Sequence, residues 1–346
     1  MLPRIAHCAP LWVVLDPEAE MIVEKVILYS TAFVGHPLPS GRFDLAGSGF
    51  FVYLRHGDYA FTYFVTAHHV IDADWRRRDA PFPPQGDIYV RINRKDGKLP
   101  YLLKTAKSDW LYHQDRRAVD LCAYLIDDRR EDPNSEWEVG WLNIRALSLT
   151  SVIAGSAGIP IVPLWLGDEV FIVGAFPHRI GEKKNIPIVR KGSVAALLDE
   201  PIEHASPRHP AYLIETRSLG GISGSPVFFD VATREGKSGR VWGPATVTNT
   251  ETGESLRPTT LLPYRLVGMV LGTWGVNGQD FLATTESDVE LTDADINSGI
   301  TAVMSVDQIT DFLESPALKD LRTAALERRE KESSYRPTSA ARAEPE

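Results

Sequence analysis

A serine set between glycines is the first feature of chemical interest. Gly220-Gly221-Ile222-Ser223-Gly224-Ser225-Pro226 stands directly before the apolar run Val227-Phe228-Phe229. Glycine admits backbone angles that a Cβ obstructs, so such a turn can present the serine side chain while aiming successive backbone N–H groups at one point. A hydroxyl held there can attack a carbonyl, and the amides of Ser223 and Gly221 can take up the negative charge that develops on its oxygen. The same composition also describes an ordinary glycine-rich β-turn. The chemistry demands a base, and Thr66-Ala67-His68-His69 closes an apolar run at 60 to 66. Adjacent histidines point in different directions, so only one of the two can reach the serine, and a histidine after a strand can equally be structural or solvated. A buried carboxylate must then hold the imidazole in the right tautomer and stabilise its cation. Asp120 heads the run DLCAYLI at 120 to 126 and is either that carboxylate or a turn residue at a strand start.

These residues need strands to position them. Short apolar or alternating runs recur between turn-forming clusters at 24 to 30, 47 to 54, 60 to 66, 87 to 93 and 120 to 126. A second group follows at 169 to 175, 186 to 197, 211 to 216, 225 to 229, 264 to 274 and 299 to 305. Runs of this length and spacing indicate an all-β chain, in two groups parted by a loop-rich stretch at 128 to 165. Helical spacing begins only with VDQITDFLE at 306 to 314, and Ser315-Pro316 is a cap and first turn for a second helix to 331.

With 37 Lys and Arg against 46 Asp and Glu in 346 residues, the formal charge is −9. That excludes a nucleic-acid binder working through bulk positive charge. Two cysteines, Cys8 and Cys122, are too few for a disulfide scaffold or a Cys-based zinc site. Cys122, within the Asp120 run, reads as core packing. No apolar run approaches the ~20 residues of a membrane span, and no secretory signal is present, so a cytoplasmic protein with no membrane partner is expected. The acidic stretch from Glu286 to Asp295 and the pair His204 and His209 lack metal-site spacing, and neither a metal nor another cofactor is expected.

Taken together, order, flanks and spacing resemble the trypsin/chymotrypsin-like serine peptidases in their bacterial and housekeeping forms. That family shows T-A-x-H after a strand, an Asp heading an apolar strand, and then G-x-S-G-[GS]-P. Here these stand as Thr66-Ala67-His68-His69, Asp120-Leu121-Cys122-Ala123-Tyr124 and Gly221-Ile222-Ser223-Gly224-Ser225-Pro226. Register within the motif makes His69 the base and His68 its neighbour. GSGFFV at 47 to 52, GDEVFIVGAFPHRIG at 167 to 181, PIVRKGSVAAL at 187 to 197, LVGMVLGTWG at 266 to 275 and GITAVMSVDQITDFL at 299 to 313 extend the resemblance over 24 to 314.

The resemblance implies a chymotrypsin-like double six-stranded β-barrel with C-terminal helices. The first barrel would span 21 to 150 and carry His69 and Asp120, and the second would span 151 to 314 and carry Ser223. A leader over 1 to 20, a helix over 315 to 331 and a disordered tail over 332 to 346 would flank them. It implies a serine endopeptidase with the catalytic residues His69, Asp120 and Ser223, an oxyanion hole from the Gly221 and Ser223 amides, and a protein or peptide as substrate. Arg217, six residues before Ser223, falls where the family places the base of its primary pocket, and is otherwise a surface arginine. Thr273-Trp274-Gly275 would form the cleft wall that pairs with substrate backbone. Ile222 stands where zymogen-activated members carry an Asp, so N-terminal cleavage cannot order the turn. Two alternatives follow on the same fold: a catalytically silent peptide-binding module, and a protein latent until a regulatory partner orders the turn.

Overall fold

The computed structural model describes residues 25–56, 59–75, 77, 81–127, 142, 144, 146–149, 164–197, 211–217, 221–230, 247–248, 255–256, 264–275, 281–282 and 297–334. The first unit comprises α1 (Lys25–Tyr29), β1 (Thr31–Pro37), β2 (Phe43–His56), β3 (Tyr59–Thr66), α2 (His68–Ile71), β4 (Asp87–Ile92), β5 (Tyr101–Ala106), β6 (Leu111–Tyr112), β7 (Cys122–Asp127) and β8 (Leu147–Ser148). Its strands are ordered β5-β4-β1-β2-β3-β7-β6, with β8 alongside β2. The edge strands β5 and β6 are consecutive in the chain and joined by a 3₁₀ turn at Lys107–Asp109. The chain at that turn therefore connects the two ends of the sheet. Trp110 pins the corner: it is buried, donates from Nε1 to Thr105 Oγ1 at 2.9 Å, and meets Phe64 edge-on.

The second unit comprises β9 (Glu169–Gly174), β10 (Ile188–Ala196), β11 (Tyr212–Glu215), β12 (Pro226–Asp230), β13 (Val247–Thr248), β14 (Ser255–Leu256), β15 (Tyr264–Gly275), β16 (Phe281–Leu282) and β17 (Asn297–Ser305). The ring β12-β9-β10-β11-β17-β15 returns to β12 and is closed, while β16 flanks β15 and β13 pairs with β14. Inward side chains from alternate positions, among them Val170, Ile172, Val194, Ile214, Val227, Val270 and Val303, fill its interior. The architecture is thus the all-β double barrel expected, with α3 (Val306–Leu313) and α4 (Pro316–Ser334) at its end. No helix among the described residues is long and apolar enough to cross a membrane.

One segment departs from its expected state. The run at 24 to 30 forms α1 rather than a strand, and β1 begins only at Thr31. A short apolar run has no periodicity to separate the two states, and here the Ser30 hydroxyl donates back to the Ile27 carbonyl at 2.8 Å and closes a helical turn. At the other end, Ser305 and Gln308 form a reciprocal capping box for α3. Buried Arg322 of α4 donates to the Leu313 carbonyl at 2.6 Å and to Tyr63 Oη at 3.2 Å, so the terminal helix is bound back to β3 of the first barrel.

The two barrels are also clamped by Arg91 of β4. Its guanidinium donates to the carbonyls of Gly181 at 2.6 Å and Glu182 at 3.0 Å and to Asn185 Oδ1, in the loop between β9 and β10. Asn185 answers by donating its backbone N–H to Asn93 Oδ1 at 2.7 Å and its side-chain amide to the Arg91 carbonyl. Burial draws the Arg91 pKa down to about 10, which leaves it a cation at neutral pH. Arg91→Leu should cost about 3 kcal/mol, since buried Asn185 Oδ1 and the part-buried carbonyls of Gly181 and Glu182 lose a charged donor at once. Urea denaturation measures this, and an unchanged midpoint would show that the clamp contributes nothing.

Candidate active site

Strand register brings the histidine and the aspartate together. β3 and β7 run antiparallel with Thr66 opposite Cys122. The residues just beyond Thr66 and those just before Cys122 therefore meet at one end of the ladder. His69 sits in the single turn α2, and Asp120 in the extended segment entering β7. His69 Nδ1 lies 2.6 Å from Asp120 Oδ2, and the His69 backbone N–H donates to Oδ1 at 3.0 Å. Both residues are buried. Burial pushes the Asp120 carboxyl up, but the charge of His69 and two hydrogen bonds from it outweigh that and hold Asp120 below its ordinary value. Cys122 is fully buried with its thiol pushed well up by burial, as a core residue.

His68 has a different setting. Its ring lies between Trp75 at 5.0 Å and Tyr112 at 4.6 Å between centroids. Burial lowers its pKa to about 4, so it packs as a neutral ring.

The serine turn is docked by Ser48 of β2. The Ser48 amide donates to the Ser223 carbonyl at 2.9 Å, its hydroxyl donates to the Gly221 carbonyl at 3.1 Å and accepts from the Ala175 amide at 2.9 Å. Its carbonyl accepts from Thr66 Oγ1 at 2.6 Å, directly before the histidines. One residue thus ties the serine turn, the start of the β9–β10 loop and the end of β3. Gly224, at φ +79°, donates to the Val270 carbonyl at 2.8 Å. Gly221, at φ +84°, lies against Leu45 and Pro177, and a Cβ there would come within 2.8 Å of Leu45 and 3.1 Å of Pro177. The turn is also anchored by Ile222, whose buried side chain joins the apolar interior of the second barrel. Burying an isoleucine contributes roughly 1.5–3 kcal/mol, so Ile222 is an apolar anchor for the turn.

Ser223 is 2% exposed, and its hydroxyl faces the Leu271 carbonyl at 3.4 Å. His69 Nε2 is buried and unpaired. Among the described residues, the amides of Gly221 and Ser223 have no acceptor.

Arg217 follows β11 and is exposed, the outward of the two expectations. Thr273 and Trp274 belong to β15, as expected, but β16 pairs with them through Leu282 and Phe281 while β17 pairs with Thr273 on the opposite side. Glu286 to Asp295, His204 and His209 lie outside the described residues. Among the described residues no group of three His, Cys, Asp or Glu is arranged to hold a metal. Ser48 was not legible as a site residue: the G-S-G run signals close packing, but its four partners come from distant segments.

No family model and no curated relative matches the sequence. Among solved structures the chain is similar to the MamO protease domain of Magnetospirillum magneticum in its apo form. The identity is 12%, the match covers 84% of this chain and 99% of that one, and the TM-score is 0.44. It is also similar to the inactive form of the Rv3671c protease of M. tuberculosis, with 11% identity over 83% of this chain and 89% of that one and a TM-score of 0.36.

Proposed function

We propose that the protein is a serine endopeptidase. The observation that carries this reading is the buried His69–Asp120 pair at 2.6 Å, with Nε2 left unpaired beside a serine turn whose Ser223 and Gly221 amides have no acceptor. In this mechanism His69 Nε2 takes the proton of Ser223 as Oγ bonds to the peptide carbonyl carbon. The Gly221 and Ser223 amides bind the resulting oxyanion. The C–N bond then breaks as His69 returns the proton to the leaving amine, and water, activated by the same base, hydrolyses the acyl-enzyme. Asp120, held ionised, keeps the Nδ1 proton in place and stabilises the imidazolium.

The test is covalent labelling by a fluorophosphonate. The parent should be labelled at Ser223, Ser223→Ala and His69→Ala should not, and His68→Phe should keep labelling because His68 acts only as a packed neutral ring. Loss of labelling in folded His68→Phe with retention in His69→Ala would show that the other histidine is the base. A second reading has one observation in its favour: β16 lies along Thr273 and Trp274, so the edge that an incoming peptide would pair with is held by the chain itself. On that reading the protein is latent, and a partner that lifts β16 raises the labelling rate.

A further inference from the structure

The end of the second barrel that carries Ser223 has a polar interior. β12 begins there, β9, β11 and β15 finish there, and β10 and β17 start there. Arg190 is near the start of β10, directly opposite Ile172 of β9, which is in turn opposite Val227 of β12. Ile172 and Val227 face the barrel interior, so Arg190 does too, and it is 9% exposed. On its other flank β10 meets the end of β11, where the Thr216 hydroxyl donates to the Lys191 carbonyl at 3.1 Å. Thr273 and Thr301 are opposite each other, and Thr301 is opposite inward-facing Ile214, so both share that face by register. Deeper in the barrel the inward positions are apolar.

Among the described residues nothing accepts from either terminal nitrogen of this guanidinium. Nη1 and Nη2 of Arg190 are buried without an acceptor, and the Thr301 hydroxyl, fully buried, also lacks one. No neighbouring charge acts on Arg190; burial alone draws its pKa down to about 10, which leaves it a cation at neutral pH. A buried unpaired cation is strongly disfavoured unless something compensates it, and the planar fork of an arginine matches a carboxylate with two parallel hydrogen bonds.

We infer that Arg190 is a specificity-determining residue, the floor of a pocket beneath the serine turn that receives the carboxylate of an acidic side chain in the bound peptide. The inference rests on the proposed peptidase site and names its substrate class: peptides with glutamate or aspartate at the residue whose carbonyl faces Ser223. It places the discriminating cation on Arg190, inside the barrel, rather than on exposed Arg217.

The test measures binding in full-length Ser223→Ala, which cannot turn substrate over. The probes are N-acetylated peptide amides identical except for Glu, Gln or Leu at one position, together with the Leu peptide bearing a free C-terminus. The Glu peptide should bind at least about tenfold more tightly than the Gln peptide, because a site built for a charged group rejects the neutral analogue. Adding Arg190→Met should remove that preference, and Arg190→Lys should retain part of it. Arg190→Met should also melt no lower than its parent, because it removes an unpaired buried charge, and this shows that the variant folds. Equal binding of Glu and Gln, a preference that survives Arg190→Met, a preference only for the free C-terminus, or no binding of any peptide would each overturn the inference. Fluorophosphonate labelling of the parent decides the hydrolase reading separately. Labelling without the Glu preference sinks the pocket alone, and the Glu preference without labelling sinks the hydrolase alone.

Discussion

Asp120→Asn should fold as the parent does and react with a fluorophosphonate about 10⁴-fold more slowly, the loss seen when a serine-histidine pair loses its carboxylate. The geometry explains why so small a change has so large an effect. Asp120 accepts twice from one residue, at Oδ1 from the His69 amide and at Oδ2 from Nδ1. Asparagine keeps an oxygen for the backbone amide but turns a donor toward Nδ1. The ring must then carry its proton on Nε2, where it can no longer take the proton of Ser223. Volume, burial and the backbone contact are all retained, so the effect isolates tautomer and charge from packing. A labelling rate within about threefold of the parent, with an unchanged melting temperature, would falsify the role given to Asp120. Lowering pH should act in the same direction: the carboxyl lies below its ordinary value, so the stability this pair contributes is full above the ordinary carboxylate range and is lost as pH falls through the lowered pKa.

The parts of this site that could be read in the sequence are those carried by local pattern. Alternating apolar runs marked the strands, and T-A-x-H, the Asp-headed run and the glycine-flanked serine marked His69, Asp120 and Ser223 as candidates. What was illegible depends on contacts between distant segments. Ser48 binds partners at 66, 175, 221 and 223, and a serine between glycines gives no hint of which. Arg91 stands in a run of alternating strand residues as one more charged position, yet it is buried because the β9–β10 loop folds over it with its carbonyls. Arg190 has the opposite failure. Its sequence neighbours mark a strand with a polar outer face, and only the register with Ile172 shows that it points inward. The α1 segment fails for a local reason, since the four apolar residues after Lys25 fit either period and the Ser30 hydroxyl closes the helical turn.

Gly224→Ala should be strongly damaging, and Gly41→Ala separates its two causes. Both glycines have φ of +79°, so both alanines carry the left-handed backbone penalty of roughly 1–2 kcal/mol. Gly41 lies in the β1–β2 hairpin with nothing within 4 Å of an added Cβ, and its substitution should cost that penalty and no more. At Gly224 the added carbon would lie 2.0 Å from the Ser48 carbonyl oxygen and 2.3 Å from Thr66 Oγ1. Neither neighbour can yield independently, because the two are hydrogen-bonded to each other at 2.6 Å and Ser48 is paired across β2. The turn must therefore move away from β2, which breaks the bonds from Ser48 to Ser223 and Gly221. A loss of more than about 4 kcal/mol, at the far end of what single substitutions do, is expected in urea denaturation, against about 1 kcal/mol for Gly41→Ala. Fluorophosphonate labelling should vanish in Gly224→Ala even where the protein is still folded, and persist in Gly41→Ala. Equal stability losses in the two variants would mean that the serine turn is not docked on Ser48, and that the alignment of Ser223 with His69 comes from elsewhere in the chain.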